Sequence, residues 1–466
     1  MKTFYAILLC LLTCLSEYSD FELKIIDANG NSMESVHIYV KDLNLTLISN
    51  SDGKVILPVN RLSNNTKISF SYIGFKTYIT SLSDLSKKNK TVIMVRESTL
   101  LESVVLKPLL KNPKKIIENV LLNYYDNFPS KPFATTGFLR YTERTKNEFR
   151  FLSEAAIKIC DPGFNFPSQN ISVDFLETRK SLDFRELDSI FILSQHLRKT
   201  REYSFKRSRK KALKENEFYS KAQWNEIIRV YDQRNFEGLN LFDTRIIKPK
   251  TNKKGKINLK NNNFINQHSF KLDSVIHSED NTIYKIKILP TTPPSKVVPK
   301  WGDSMLPFGY IYVNANNYAI LEMEYTLIIN PSKNFVQTFE KINGSKISLQ
   351  YKIKFKELHE RMYPYYISYW SPLWHNATLS STDKNKNDQY YYNKIEILLS
   401  ETVLESNEVT VNKKDLNINN NVLFNKNKYN PEFWKNYNVL LETEEEAKMI
   451  KDLEKKMSLK EQFEKN

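Results

Sequence analysis

The amino-acid sequence predicts a mainly β protein with helices: a small N-terminal β-sandwich, a large antiparallel, curved-sheet (half-barrel-like) domain with helical insertions, and a helical C-terminal tail. Three observations carry this prediction. Glycine is scarce, at 10 of 466 residues, while Tyr and Phe number 26 and 27. That balance suits long antiparallel strands better than nucleotide-binding α/β units with glycine loops. Between Phe21 and Leu106 short apolar runs recur every ~10 residues with turn residues between them, the spacing of a sandwich. After Phe264 the runs lengthen. Ile347, Leu349, Tyr351, Ile353 and Phe355 alternate with Ser348, Gln350, Lys352 and Lys354, as on a strand with one buried and one wet face.

The chain opens with Lys2 and an apolar run from Phe4 to Leu15, interrupted only by Thr13. Such a run is too short for a bilayer span and fits a signal peptide over residues 1–16. Two processing routes are compatible with it. Cleavage after Ser16 would leave Cys14 and Ser16 at small-residue positions; alternatively Leu11-Leu12-Thr13-Cys14 resembles a lipobox, with Cys14 lipidated. Either route predicts an exported chain, in the periplasm or at the outer membrane. It also leaves Cys160 without an internal partner, and its apolar surroundings from Ala155 predict a buried core cysteine.

In the segment 21–106, Phe21 to Ile25 alternate with period two, and Asn29-Gly30-Asn31 makes a turn. Val36, Ile38 and Val40 form the next run, and Ser51-Asp52-Gly53-Lys54 is a second turn in which Gly53 can take a positive φ. Further runs follow at Val55–Leu57, Ile68–Tyr72, Thr91–Val95 and Leu100–Leu106. Four motifs in order, Asp27-Ala28-Asn29-Gly30, Ser51-Asp52-Gly53, Phe70-Ser71-Tyr72-Ile73-Gly74-Phe75 and Leu101-Glu102-Ser103-Val104-Val105, resemble the carboxypeptidase regulatory-like domain of Bacteroidetes envelope proteins. The resemblance covers under a fifth of the chain. It implies a transthyretin-like or Ig-like sandwich without a catalytic site, of a kind that family relatives carry ahead of outer-membrane transporter barrels.

Asn112-Pro113 predicts the start of a helix over 112–127, with Asn as N-cap and Pro at the first helical position, serving as a linker or packing element. A strand-rich domain over 131–425 follows, beginning with a hairpin around Lys146-Asn147. The stretch from Lys131 to Ala155 is similar to a segment that often follows the regulatory-like module in the same envelope proteins. A helical, basic insertion spans about 180–260. Leu187, Ile190, Phe191, Leu193 and Leu197 mark its helix, and nine of the seventeen positions from Arg198 to Lys214 are Lys or Arg. Arg198, Lys199, Arg201, Lys206, Arg207, Arg209, Lys210 and Lys211 thus form a candidate docking surface for an anionic membrane or an acidic partner; a solvated face is the alternative. The base-rich stretch Lys248 to Lys260 reads as a loop tip. The tail over 430–466 carries two capping-box patterns, Thr443-x-x-Glu446 and Ser458-x-x-Glu461, and its end either docks on a partner or frays.

No catalytic constellation is apparent. The six histidines form no metal-binding spacing, and there is no Gly-x-Ser-x-Gly, Walker loop or Gly-x-Gly-x-x-Gly. No cofactor is therefore expected. The net charge of +16 favours acidic partners, yet the export signal argues against nucleic acid. Tyr365, Tyr366, Tyr369, Trp370 and Trp374 are the candidate recognition surface, with core packing as the alternative. These observations point to a non-catalytic binding or scaffold protein at the periplasmic face of the outer membrane, as an accessory subunit of a transport or assembly complex with outer-membrane or periplasmic protein partners. The alternatives are a lipid- or glycan-binding half-barrel, which resembles periplasmic lipoprotein carriers in shape, and a hydrolase with an unrecognised site.

Overall fold

The computed structural model describes residues 21–97, 111–145, 147–184, 189–215, 219–220, 223–224, 227, 242–252, 255–277, 281–291, 305–332, 346–373, 391–404, 428–437 and 444–465. The expected signal peptide with Cys14, the closing strand at Leu100–Leu106, and Trp374 lie outside them. The chain divides into two compact units, the first built on the chain up to Arg96 and the second on the chain from Glu97.

The first unit is a two-sheet sandwich. Strands β1 (Phe21–Asp27), β4 (Lys54–Leu57) and β7 (Thr91–Met94) form one sheet in the order β4-β1-β7. Strands β2 (His37–Val40), β3 (Leu45–Ile48), β5 (Lys67–Ser71) and β6 (Tyr78–Ser81) pair as β3-β2-β5-β6. Sequence alternation missed β3, β6 and the short helix α1 (Leu82–Lys87). All four β3 residues are buried, so it shows no alternation. Two of the four quoted motifs, at Asp27–Gly30 and Ser51–Gly53, form turns; Phe70 and Ser71 of the third lie on β5, and the fourth, Leu101–Val105, lies outside the described residues. Asp27 Oδ1 accepts from the Asn29 and Asn31 N–H groups at 2.9 and 2.8 Å, and its carboxyl is held below its usual range first by the Asn31 side chain. At Gly53 φ is +72°, and a Cβ would lie 2.3 Å from the Ile25 carbonyl oxygen. Gly53→Ala is therefore expected to lower stability by at least ~1–3 kcal/mol, the range for a strained left-handed residue. An unchanged urea midpoint would refute this.

Among the described residues the second unit forms a curled sheet of ten antiparallel strands. Its strands are β8 (Phe133–Arg144), β9 (Phe149–Asp161), β10 (Ser172–Lys180), β11 (Ser269–His277), β12 (Thr282–Leu289), β13 (Met305–Asn314), β14 (Ile320–Ile329), β15 (Ile347–Leu358), β16 (Arg361–Leu373) and β17 (Tyr391–Leu404). They pair in the order β11-β12-β13-β14-β15-β16-β17-β8-β9-β10. Strand β10, a sheet edge not evident in the sequence, alternates buried and exposed residues only loosely.

Helix α2 (Pro113–Leu122) and its short continuation α3 (Tyr124–Asn127) pack on one face of this sheet. Asn112 caps α2 by accepting the Lys115 N–H at 3.2 Å. Ile116, Ile117, Val120, Leu121 and Tyr124 are all buried in the sheet's core. The segment expected as a linker is thus a structural part of the second unit. Ten strands span ~43 Å, whereas α2 and α3 together reach ~22 Å. A flat sheet would leave much of its apolar face wet; curling lets that face bury itself.

Helices α4 (Ser189–Thr200) and α5 (Phe205–Glu215) form the basic insertion, and α6 (Asn263–Gln267) precedes β11. The tail contains α7 (Pro431–Asn436), α8 (Glu444–Leu453) and α9 (Leu459–Lys465). The second capping box forms as written: Ser458 Oγ accepts the Glu461 N–H at 3.3 Å, and Glu461 Oε2 accepts the Ser458 N–H at 3.1 Å. The end of the chain docks on its own sheet. Met449, Leu453, Leu459 and Phe463 pack with Phe149 and Leu152 of β9, and Gln462 Nε2 donates to the Leu453 and Met457 carbonyls.

Candidate functional site

Strand register sorts the second unit's side chains into continuous rows. One row reads, strand by strand, Ala155, Leu139, Ile397, Ile367, Ile353, Met323, Ile311, Ile286 and Leu272. Every member is apolar, and it lies on the face that α2 covers. Beside it runs a second row containing Tyr369, Tyr351 and Tyr325. The opposite face carries a charged ladder of Arg179, Glu154, Arg140, Glu396, Ser368, Lys352 and Glu324. Successive residues on a strand point to opposite faces, so one alternating sequence writes both rows.

The ladder is an ionic network. Glu154 receives Arg140 Nε at 2.7 Å and Arg179 Nε at 2.6 Å. Arg140 also pairs with Glu446 of α8, and Arg179 stacks on the Trp434 ring of α7 at 4.4 Å. Further along, Lys352 bridges Glu322 at 3.0 Å and Glu324 at 2.6 Å. This network clamps the tail helices to the sheet.

The apolar face holds a different polar cluster. Asp161, at the end of β9, accepts Arg245 Nη2 at 2.6 Å and the Gly163 N–H at 2.8 Å. Both partners are buried, with side chains 2% and 6% exposed for Arg245 and Asp161. Burial raises the Asp161 carboxyl above its usual range although Arg245 pulls it down, and burial together with Arg245 lowers Lys248. The Arg245 guanidinium stacks on Phe164 at 4.5 Å. Its Nη1 stands 3.8 Å from Asp243 Oδ1, beyond hydrogen-bond length. Arg245 Nε and Nη1, and the hydroxyl of neighbouring Tyr124, are buried with no hydrogen-bond partner among the described residues. Each such unmatched donor costs roughly 1–3 kcal/mol, so an acceptor reaching these atoms would be stabilised. Sequence reasoning missed it because Arg245 and Asp161 are 84 positions apart and neither belongs to a motif.

Of the five aromatic candidates Trp374 lies outside the described residues, and the other four do not share one face. Tyr366 points to the charged face, its hydroxyl donating to Glu396 at 3.0 Å. Trp370 also lies there, stacked on Tyr392 at 5.7 Å. Tyr369 belongs to the apolar-face tyrosine row, and Tyr365 is buried. The basic candidates lie on two consecutive helices: Arg198 and Lys199 on α4, Arg201 just after it, and Lys206, Arg207, Arg209, Lys210 and Lys211 on α5. Cys160 is buried, and burial raises its thiol pKa. Among the described residues no cluster of His, Cys, Asp or Glu could hold a metal, and no helix is long and apolar enough to cross a membrane.

No family model matches the chain, and no curated protein matches it. Solved structures give distant similarity. A Vibrio parahaemolyticus domain described in terms of outer membrane lipoprotein sorting is 8% identical, covers 66% of this chain and 99% of its own, and scores a TM-score of 0.24. A LolA superfamily protein from Nitrosomonas europaea is 9% identical over 64% of this chain and 95% of its own, at 0.20. A DUF1329 family protein from Desulfovibrio piger is 8% identical over 66% of this chain and 100% of its own, at 0.23.

Proposed function

We propose that the second unit is a non-catalytic, carrier-like half-barrel that binds an amphiphile, its chain against the apolar face and its acidic head at Arg245. The observation that carries this is the buried guanidinium whose Nε and Nη1 have no hydrogen-bond partner among the described residues, on the same face as the apolar row. An aliphatic ligand fits that face better than a glycan, which would need polar partners along it. The four described aromatic candidates are divided between two faces, which gives the scaffold reading no single aromatic surface among the described residues. In this reading the chain is exported and works in the periplasm or at the outer membrane, beside proteins of that compartment. The N-terminal sandwich serves as a regulatory-like, non-catalytic module, on the strength of its four motifs.

Titrating the purified full chain with a fluorescent fatty acid tests the proposal. Binding is expected, with the carboxylate preferred over the alcohol of equal chain length. The neutral pair Arg245→Met/Asp161→Leu should keep acyl binding and lose most of that preference, roughly tenfold or more, as for a hydrogen bond to a charged group. No acyl binding by the folded wild type would sink the proposal. Equal preference in both proteins would remove Arg245 from it.

A further inference from the structure

We propose that the exposed face of α5 docks the protein on an anionic lipid surface, independently of the ligand carriage argued above. Helices α4 and α5 are held by a small core of their own, in which Ile192, Leu193, Leu197, Ala212 and Ile227 are buried. That core fixes which side of α5 faces out. Ser208 and Ala212 are fully buried, while Lys206, Arg207, Arg209, Lys210, Leu213 and Lys214 are exposed. At 100° per residue these six fill an arc of about 160°. The arc holds five cations and no acid. The only acid on the helix, Glu215, lies outside it and is engaged by Arg201 at 3.3 Å and Lys211 at 3.7 Å. Arg207 is steadied by Tyr203, whose ring lies 4.5 Å away.

Leu213 decides the kind of partner. It is 62% exposed in the middle of the cations. A polyanion such as nucleic acid offers it nothing, whereas a bilayer interface takes the cations at its headgroups and the leucine at the acyl boundary. Lys206, Lys210 and Lys214 repel one another at i,i+4 spacing, and a surface of opposite sign would relieve that repulsion.

Co-sedimentation of the full chain with vesicles tests the proposal. Binding is expected to phosphatidylglycerol-containing vesicles, to weaken with added salt, and to be absent with phosphatidylcholine alone. Each cation near such a surface is worth about fivefold, so Lys206→Gln/Lys210→Gln/Lys214→Gln should lose about a hundredfold. Leu213→Ser should lose roughly tenfold, a change that a purely ionic contact would not show. Circular dichroism confirms that each variant stays folded. Equal binding to both vesicle types would overturn the proposal, as would an unaffected triple variant. So would tight binding to duplex DNA or polyglutamate without binding to vesicles. Failure of the fatty-acid titration would leave this result untouched, since the two surfaces share no residue.

Discussion

Glu154→Gln is expected to remove about 3–5 kcal/mol of folding free energy, the loss typical of a buried ion pair deprived of one partner. Glu154 is 2% exposed and takes a guanidinium on each side, from Arg140 and Arg179. The glutamine could still accept hydrogen bonds, but it would remove the one carboxylate that Arg140 and Arg179 share, leaving Arg140 to Glu446 and the nearby Glu396, and Arg179 to the Trp434 and Phe463 rings. Urea denaturation checks the size of the effect. Glu148→Gln, which breaks a half-exposed pair with Lys455, serves as the control and should cost less than ~1 kcal/mol. Equal losses in the two variants would show that the ladder is no stronger than a surface pair. The pH dependence has a definite sign. Burial pushes the Glu154 carboxyl up, but Arg140 and Arg179 outweigh it and leave it below its usual range. Its stabilisation is therefore fully present above the unfolded value of ~4.3 and is lost as pH falls through the lower folded value. Glu396, buried next to Lys394 and Arg140, follows the same sign.

Acidification should also withdraw about 3 kcal/mol through His268. Burial lowers its pKa from 6.5 to about 4. The imidazole bridges Phe264 and Tyr325: Nδ1 lies 2.7 Å from the Phe264 carbonyl and Nε2 lies 2.9 Å from the Tyr325 hydroxyl. A carbonyl only accepts, so Nδ1 carries the proton and Nε2 accepts from tyrosine. Protonating Nε2 would place a charge in a buried site and force the Tyr325 hydroxyl to turn from donor to acceptor. Between the unfolded and folded pKa values the unfolded chain binds a proton that the folded one does not. Stability is then complete above pH 6.5 and declines as pH falls towards 4. Urea melts across that range should show close to one proton less uptake on unfolding for His268→Gln than for the wild type. Identical pH slopes would refute the assignment. The His268 ring also stacks on Phe264 at 4.4 Å, so the glutamine variant should be less stable even at neutral pH.

Much of the architecture is legible in the sequence where local rules suffice. The Asn112-Pro113 helix start, the Ser458 capping box and the Gly53 turn appear in place because each depends on residues within a few positions of one another. Strand β15 was readable because one of its faces is polar and the other apolar. Strand β3, Leu45-Thr46-Leu47-Ile48, was not, because it is only four residues long and is buried on both faces, Thr46 included, so residue type does not mark an outward side. The aromatic group at 365–370 looked like one surface because proximity in sequence suggests proximity in space. On a strand, neighbouring residues point apart, and Tyr369 and Trp370 went to opposite faces.

The sequence by itself determined the class of fold, the Asn112 and Ser458 caps, the Gly53 turn and the basic run Arg198–Lys214, since these follow from period, φ and charge over short spans. Tertiary structure alone decided what each face meets. Register brought Ala155, Ile397 and Ile311 into one apolar row and Arg179, Glu154 and Arg140 into one charged row. Chain closure brought Arg245 to Asp161 and the tail helices to β9. The physical reason is that a hydrophobic pattern specifies which side chains turn inward, while pairing over long loops selects which of them touch.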